Sequence, residues 1–338
     1  MKAWRLNSPN LIELADMDSQ PVGEGCVKIK LRYSAVSATD LLLYDGKVPF
    51  EGPLVLGRQG VGMVTEVGDG VKTVVRGDIV AIRPFSACGG CLACKKGKFA
   101  DCENKIIHGY TEDGFLCDFA VVRAEDVYKL PERIDKKSAL FLEHIDIAIS
   151  VINQLELERG EHIVINGATY LGLTIAQLAL SCQAVPIVVD VDPVRLAVAE
   201  RYVYYALDYT KVDVRKKILM ITGGRMRETV VHLHSSAMPI NQALALAGKR
   251  GRVAVAGWEY TADLSGIDCK YLLNNQLTMV GVNGSNNNFS AAINMLVNHT
   301  VQVDFDNLPE VTFAEVGKVF DGALRNENKY LYHRVVME

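Results

Sequence analysis

The sequence predicts an α/β chain with two parts, a β-rich part resembling a small barrel and a doubly wound parallel sheet. Three observations carry this prediction. Residues 1 to about 148 show short strands broken by glycines, and residues from about 150 onward alternate strands with helices. Hydrophobic residues make up 49% of the 338 residues and charged residues 22%, so the chain can bury a full core. The length suggests two domains or one large one, and the composition favours an ordered chain.

The first part is β-rich because its apolar residues follow a period of two. Residues 26–33 alternate apolar and charged side chains, which is typical of a half-buried strand. Residues 57–77 are rich in Gly and Val, a composition that suits short, sharply bent strands. Residues 79–82 continue as an apolar strand after a Gly-Asp turn. We therefore expect a small barrel here.

The second part alternates strands and helices. We expect strands at 161–166, 186–190, 229–233, 252–257 and 277–282. Helical spacing at 173–182, 193–204 and 239–247 lies between them. Such alternation predicts βαβ units and a parallel sheet.

Charge and hydropathy exclude some classes of protein. The net charge is −4 with no strong basic run, which argues against a nucleic-acid binder. No apolar run reaches the roughly 18 residues that a membrane span needs, and no signal-peptide pattern opens the chain. We therefore expect no membrane partner and a cytoplasmic location.

Four of the eight cysteines fall within fifteen residues and have metal-ligand spacing. They are Cys88, Cys91, Cys94 and Cys102. Four thiolates in a closed tetrahedral shell are typical of structural zinc, so we predict one structural Zn²⁺ per chain. An iron–sulfur cluster has similar cysteine spacing and is the main alternative, and a redox or disulfide cluster is the other.

A glycine-containing turn between a predicted strand and helix has the context of a dinucleotide fingerprint. The usual middle glycine is Thr169, but the backbone N–H groups at the helix start can still bind phosphate. Asp190 ends the next strand, 23 residues after Gly167, where a carboxylate binds ribose hydroxyls and disfavours a 2′-phosphate. Asp190 could instead cap the next helix, although Asp192 is better placed. We predict NAD(H) as cofactor, bound by Gly167, Thr169, Leu171, Gly172, Asp190 and Arg195.

These motifs resemble the zinc alcohol, polyol and threonine dehydrogenase branch of the medium-chain dehydrogenase/reductase superfamily, over essentially the whole chain. The resemblance implies a GroES-like catalytic domain at 1–148 and 287–338, with a zinc lobe at 86–104, and a Rossmann domain at 149–286. It also implies homodimers or homotetramers in which the strand at 277–282 pairs across subunits.

The catalytic zinc ligands of that family are replaced in this chain. Ser37 stands where the family has its cysteine ligand, and Arg58, in Gly57-Arg58-Gln59-Gly60, stands where it has histidine. Arginine stays protonated and does not coordinate zinc. Glu143 aligns with the acidic position of the polyol branch. Because Ser37 and Arg58 replace the cysteine and histidine ligands, we expect no catalytic zinc.

The resemblance suggests replacement chemistry at this site. The guanidinium of Arg58 would lie where the family places a dication, paired with Asp40 or Glu143, and Thr39 would keep the family's hydroxyl-relay position. We thus predict an NAD(H)-dependent oxidoreductase acting on a small alcohol or carbonyl substrate, with Ser37, Thr39, Asp40, Arg58 and Glu143 as catalytic residues. Two alternatives are a zinc-independent reductase of an activated double bond and a nucleotide-binding sensor without turnover.

Overall fold

The computed structural model describes residues 1–224, 229–233, 238–257, 266–284, 288–303, 308–324 and 332–337. The strands in this part of the chain are β1 (Lys2–Ser8), β2 (Leu11–Asp16), β3 (Cys26–Val36), β4 (Leu54–Val55), β5 (Gly60–Val67), β6 (Ile79–Ile82), β7 (Phe85–Ser86), β8 (Ile106–Ile107), β9 (Phe119–Arg123), β10 (Val127–Lys129), β11 (His162–Asn166), β12 (Val185–Asp190), β13 (Tyr205–Asp208), β14 (Thr229–Leu233), β15 (Arg252–Gly257), β16 (Thr278–Asn283), β17 (Glu310–Thr312) and β18 (His333–Val336). The α-helices are α1 (Ala38–Tyr44), α2 (Leu92–Lys95), α3 (Leu142–Leu155), α4 (Tyr170–Ser181), α5 (Pro193–Ala199), α6 (Val214–Ile221), α7 (Ile240–Leu244), α8 (Cys269–Asn275), α9 (Phe289–Val297) and α10 (Val316–Leu324). Short 3₁₀ turns lie at Phe99–Asp101, Ala124–Asp126, Ser138–Phe141 and Phe313–Glu315.

The chain divides into two compact units. The first comprises Met1–Glu143 with Val303–Glu338, and the second comprises His144–Gln302. The sequence analysis had placed these boundaries after residues 148 and 286. The second unit extends beyond residue 286 because Asn288, next to α9, donates hydrogen bonds to Asp146 and Ser150 of α3 at 2.8 and 3.2 Å.

The first unit is built on a seven-stranded sheet in the order β10-β6-β5-β3-β18-β17, with β9 also paired to β3. β3 shows the expected alternation, because Val27, Ile29 and Leu31 are buried while the charged residues between them are more exposed. β5 and β18 both run antiparallel to β3, with Ser34 opposite Gly60 and Val36 opposite His333. The end of β3 and the beginnings of β5 and β18 therefore lie at one edge of the sheet.

The second unit contains six parallel strands in the order β13-β12-β11-β14-β15-β16. The strand order reverses between β11 and β14, the place where doubly wound sheets bind ligands at the carboxyl ends of their strands. The predicted α/β class is confirmed. Two predicted helices end too late: the helix that begins at Pro193 ends at Ala199 and not at residue 204, and α7 ends at Leu244 and not at residue 247. Residues Tyr205–Asp208, which follow the first of them, form β13 and pair with β12.

The α-helices in the described ranges are short, and the longest, α3, has 14 residues. None of them has the length and apolar character that crossing a bilayer requires.

Candidate functional site

A buried cluster of three polar side chains lies at the edge where β5 begins. Arg58, Gln59 and Glu143 are only 3%, 6% and 5% exposed. The Nη2 group of Arg58 donates to Oε1 of Glu143, and Nε2 of Gln59 donates to Oε2 of the same carboxylate. Both oxygens of Glu143 are thus bound by side chains of the chain itself. A buried charge is tolerated only when it is paired and hydrogen-bonded in this way.

Local structure places these groups. Arg58 and Gln59 directly precede β5, and Ser34 Oγ in β3 donates to the carbonyl oxygen of Gln59 at 2.9 Å. Glu143 is in the first turn of α3, where the helix dipole favours a negative charge. The sheet and the helix start therefore bring opposite charges together.

Asp40 forms a second buried cluster beside Arg58. It lies in the first turn of α1, and its Oδ2 accepts hydrogen bonds from the backbone N–H and hydroxyl of Ser37 at 2.7 and 2.6 Å. Its Oδ1 accepts from Gly57 N–H at 2.8 Å. Burial raises the pKa of Asp40, while these hydrogen bonds and the charge of Arg58 oppose that rise. Thr39 lies half-buried between Ser37 and Asp40.

The structure therefore brings together the residues that the sequence analysis singled out, but in a particular pairing. Arg58 pairs with Glu143, one of the two partners that the sequence analysis proposed for it. The hydrogen bonds of Asp40 go to Ser37 and Gly57, and Arg58 acts on Asp40 through its charge.

This donor set does not suit a zinc ion. Arg58 carries a fixed positive charge and offers no lone pair. The hydroxyl proton of Ser37 is donated to Asp40, and both oxygens of Glu143 accept hydrogen bonds. Zinc in proteins takes thiolate, imidazole or carboxylate ligands, and here only the carboxylates of Glu143 and Asp40 belong to that set. The oxygens of both carboxylates accept hydrogen bonds from the chain itself.

The four-cysteine cluster has the opposite character. The sulfur atoms of Cys88, Cys91, Cys94 and Cys102 all lie within 4.8 Å of one another. The Sγ–Sγ distances from Cys94 are 3.9 Å to Cys88 and 3.5 Å to Cys91. Zn–S bonds of about 2.3 Å in a tetrahedron separate sulfurs by about 3.8 Å, so the cluster fits a zinc ion.

Backbone groups favour the thiolate at Cys88, whereas burial raises the pKa of the Cys94 thiol to about 12. The backbone N–H groups of Cys91 and Gly90 lower the pKa of the Cys88 thiol to about 6. The N–H of Cys88 in turn donates to the sulfur of Cys102 at 3.3 Å. Thiolates, the form that binds metal, are stabilised by such donors.

The glycine-containing turn of the second unit joins β11 to α4. Gly167 has a φ of +121°, and a Cβ on Gly172 would lie 2.0 Å from the carbonyl oxygen of Gly167. Only glycine therefore fits at position 172. Thr169, which replaces the middle glycine of the fingerprint, caps α4 by accepting a hydrogen bond from Gly172 N–H at 3.3 Å. Leu171 is a buried residue of the same helix.

Asp190 ends β12 next to this turn. Its Oδ2 accepts from Ala168 N–H at 2.7 Å, and its Oδ1 accepts from Arg195 Nη2 at 2.7 Å. Asp192, not Asp190, caps α5 by accepting from the N–H groups of Val194 and Arg195. Asp190 therefore ties the glycine turn to the second strand, and Arg195 is its charge partner.

The sequence analysis missed one buried side chain at the first site. Gln59 was visible beside Arg58, yet nothing in the sequence showed that its amide binds Glu143.

Two family descriptions match the chain. The Alcohol dehydrogenase GroES-like domain matches residues 23–132, and the Zinc-binding dehydrogenase family matches residues 171–298. An L-threonine 3-dehydrogenase from Pyrococcus furiosus is 30% identical over 72% of this chain and 72% of its own length. A zinc-type alcohol dehydrogenase-like protein of Haemophilus influenzae is 28% identical over 98% of this chain and 97% of its own.

A solved structure has the same fold. The NADH complex of an alcohol dehydrogenase from Escherichia coli superposes with a TM-score of 0.87 and 22% identity, covering 100% of this chain and 98% of that one. The chain therefore belongs to the zinc-type alcohol, polyol and threonine dehydrogenase branch of the medium-chain dehydrogenase/reductase superfamily. Within that branch it is a dehydrogenase-like oxidoreductase.

Proposed function

We propose that this protein is an NAD(H)-dependent oxidoreductase that holds one structural zinc ion and works without a catalytic one. A single observation carries the proposal: Arg58 and Gln59 bind both oxygens of Glu143. An internal ion pair therefore lies among the residues that correspond to the family's metal ligands. Cys88, Cys91, Cys94 and Cys102 would hold the structural zinc.

The nucleotide would bind at the carboxyl ends of the parallel strands in the second unit. The N–H groups at the start of α4 would bind its pyrophosphate, and Thr169 at the N-cap is compatible with this role. Asp190 supports NAD(H) over NADP(H) because a carboxylate repels a 2′-phosphate. Proteins of the same fold were crystallised with NADH and with NADP, so the choice rests on Asp190.

Bound NADH would supply a hydride to the carbonyl carbon of the substrate. Negative charge then develops on the substrate oxygen, and the Arg58 guanidinium, held by Glu143, would stabilise it. The hydroxyl of Thr39 would pass the proton that this oxygen takes up. Ser37 and Asp40 would keep the first turn of α1, and with it Thr39, in place.

Two other functions compete with this one. Reduction of an activated double bond needs less charge stabilisation, because an enolate spreads the charge. A nucleotide-binding sensor is the second, favoured by the same ion pair if Arg58 is fully engaged by Glu143. A turnover screen with alcohols, polyols, aldehydes and enals separates the three.

The proposal includes a cytoplasmic homodimer or homotetramer. β16 forms the outer edge of the six-stranded sheet and could pair with β16 of a second copy. The substrate would be a small alcohol or carbonyl compound.

Zinc content tests the proposal most directly. Elemental analysis of protein purified without added metal should give one zinc per chain, and NADH fluorescence titration should show binding. The triple variant Ser37→Cys, Arg58→His, Gln59→Glu restores the ligand types of the family and should raise the count to two. Ser37→Cys alone is the control and should leave it at one. Two zinc ions in the unaltered protein would contradict the proposal.

A further inference from the structure

The first unit contains a cavity of about 90 Å³ that the proposed function does not use. It is lined by Met1 and residues 17–20, which flank the first two strands, and by His108 and residues 112–115, which follow β8. None of the residues around Arg58 that form the candidate active site lines it. An engineered cavity of about 150 Å³ binds benzene, so a cavity of this size has room for a chain of about four heavy atoms.

The buried part of the cavity wall is apolar. Val55, Phe115 and Cys117 line it, and each is only 1% exposed. The Cys117 thiol stays protonated because burial raises its pKa. Met1 and Met17 pack against Val55 and Cys117 and add two thioether side chains to the lining. Small-molecule sites are typically apolar pockets with a few polar groups, so this wall suits an alkyl chain.

Glu112 adds a carboxylate to the lining, and its side chain is 57% exposed, so solvent reaches it. Among the described residues its ion-pair contact is with Nδ1 of His108, 3.8 Å from its Oε2. Burial lowers the pKa of His108 to about 4, so this ring is uncharged at neutral pH. Burial and the charge of Asp113 raise the pKa of Glu112. The charge of Arg123 opposes that rise, but Arg123 is paired with Glu125 at 2.9 Å. The charge of Glu112 is therefore poorly balanced within the chain.

The other charged groups of the lining also favour a cation. Asp18 and Asp113 contribute two more carboxylates, and Oδ1 of Asp113 accepts from Val55 N–H at 2.8 Å. The ammonium group of Met1 is the positive charge in the lining, and it donates to the carbonyl oxygen of Met17 at 2.6 Å. Three carboxylates and one ammonium group give the cavity a net negative charge at neutral pH. Such a cavity attracts a cation and repels an anion.

We propose that this cavity binds a primary ammonium ion that carries a short alkyl chain. The ammonium group donates to the carboxylate of Glu112, and a hydrogen bond between two charged groups is about twice as strong as a neutral one. The chain packs against Val55, Phe115 and Cys117, where each buried CH₂ group adds hydrophobic stabilisation. The site shares no residue with the proposed active site, so neither proposal depends on the other.

Three ligands with the same carbon chain test the site. The chlorides or sodium salts of n-propylammonium and propionate, and 1-propanol, are titrated at fixed ionic strength into the full chain labelled with ¹³C at its methionine methyl groups. The signals of Met1 and Met17 should shift, and Met17→Leu assigns one of them. The signal of Met220, which is 74% exposed in the second unit, should stay in place. We expect n-propylammonium to bind about tenfold more tightly than 1-propanol, and propionate to bind most weakly.

Two matched variants assign the preference to one carboxylate. Glu112→Gln keeps the size of the side chain without its charge and should bring the ratio of n-propylammonium to 1-propanol close to one. Glu66→Gln removes an exposed carboxylate outside the cavity and should leave the ratio unchanged. NADH titration of Glu112→Gln should match that of the unaltered protein.

Four results would overturn the site. They are equal binding of n-propylammonium and 1-propanol, unshifted signals of Met1 and Met17, an unchanged ratio in Glu112→Gln, and binding of the ammonium ion alone as tightly as n-propylammonium. The last of these would show that surface charge attracts the cation without help from the cavity.

Discussion

The cysteine cluster and the Arg58–Glu143 pair differ in the source of the positive charge that can balance their acidic groups. In the function that we propose, each region corresponds to a position where the family uses zinc. In the cluster, four sulfur donors lie within 4.8 Å of one another, and the cation that would balance them comes from outside the chain. At Glu143, the chain supplies the cation itself, as the guanidinium of Arg58.

The two regions also differ in what surrounds them. The spacing from Ser37 to Arg58 keeps the family's 21 residues, and the backbone around both is intact, with Asp40 bound to Ser37 and Gly57. The first site therefore contains its own ion pair, whereas the cysteine lobe offers four sulfur donors to a cation.

The largest expected effect on stability comes from removing one partner of the Arg58–Glu143 ion pair. Glu143→Leu leaves the Arg58 guanidinium buried without its carboxylate, and removing one partner of a buried pair costs about 3–5 kcal/mol. The double variant Arg58→Met, Glu143→Leu replaces both charges with apolar groups and should recover most of that loss. Chemical denaturation of the three proteins measures these differences.

The exposed pair of Lys28 and Glu66 supplies the control. Its atoms lie 3.2 Å apart, Glu66 belongs to β5, and its side chain is 56% exposed. Glu66→Leu should therefore cost no more than about 1 kcal/mol. A Glu143→Leu variant as stable as Glu66→Leu would show that the Arg58 charge is balanced by another group, and the comparison of the two regions would fail.

A smaller loss of stability is expected at low pH, and it comes from His108, which lies near the cysteine lobe. His108 is buried, and its Nε2 lies 3.3 Å from the hydroxyl of Ser86, two residues before Cys88. Burial lowers the pKa of His108 from 6.5 to about 4. The unfolded chain then takes up a proton below pH 6.5 that the folded chain refuses until about pH 4. Stability is complete above pH 6.5 and falls as the pH drops to 4, by on the order of 2–3 kcal/mol.

Replacing His108 tests the predicted direction in which stability changes with pH. His108→Gln should flatten the curve of unfolding free energy between pH 6.5 and 4, with little change in its slope above pH 7. Measurements on zinc-loaded protein, with zinc content determined at each pH, keep metal release apart from histidine titration. A variant whose curve runs parallel to that of the unaltered protein would contradict burial as the cause.

Sequence reasoning worked where the chemistry is local. The cysteine spacing lies within fifteen residues, and the strand–turn–helix around Gly167 and Gly172 is one continuous segment. The α/β class followed from periodicity alone. Contacts between distant segments were not accessible in this way. Glu143 meets Arg58 across 85 residues, and the position of His333 depends on the register of β18 with β3. A pattern along the chain carries no information on such a register.

The smallest expected effect concerns Thr169, the third place where this chain departs from its family's pattern. The hydroxyl of Thr169 caps α4 through Gly172 N–H, so Thr169→Ala should cost ~1 kcal/mol of stability, and Thr169→Gly only ~0.3 kcal/mol. If Thr169 acts mainly as a cap, the glycine variant keeps the backbone donors at the helix start and should bind NADH at least as tightly as the unaltered protein. Denaturation and NADH titration of both variants measure the two effects separately. A glycine variant that loses NADH affinity would assign the hydroxyl to the nucleotide, and the departure at position 169 would then be a change of ligand, like the one at Arg58, rather than a change of cap.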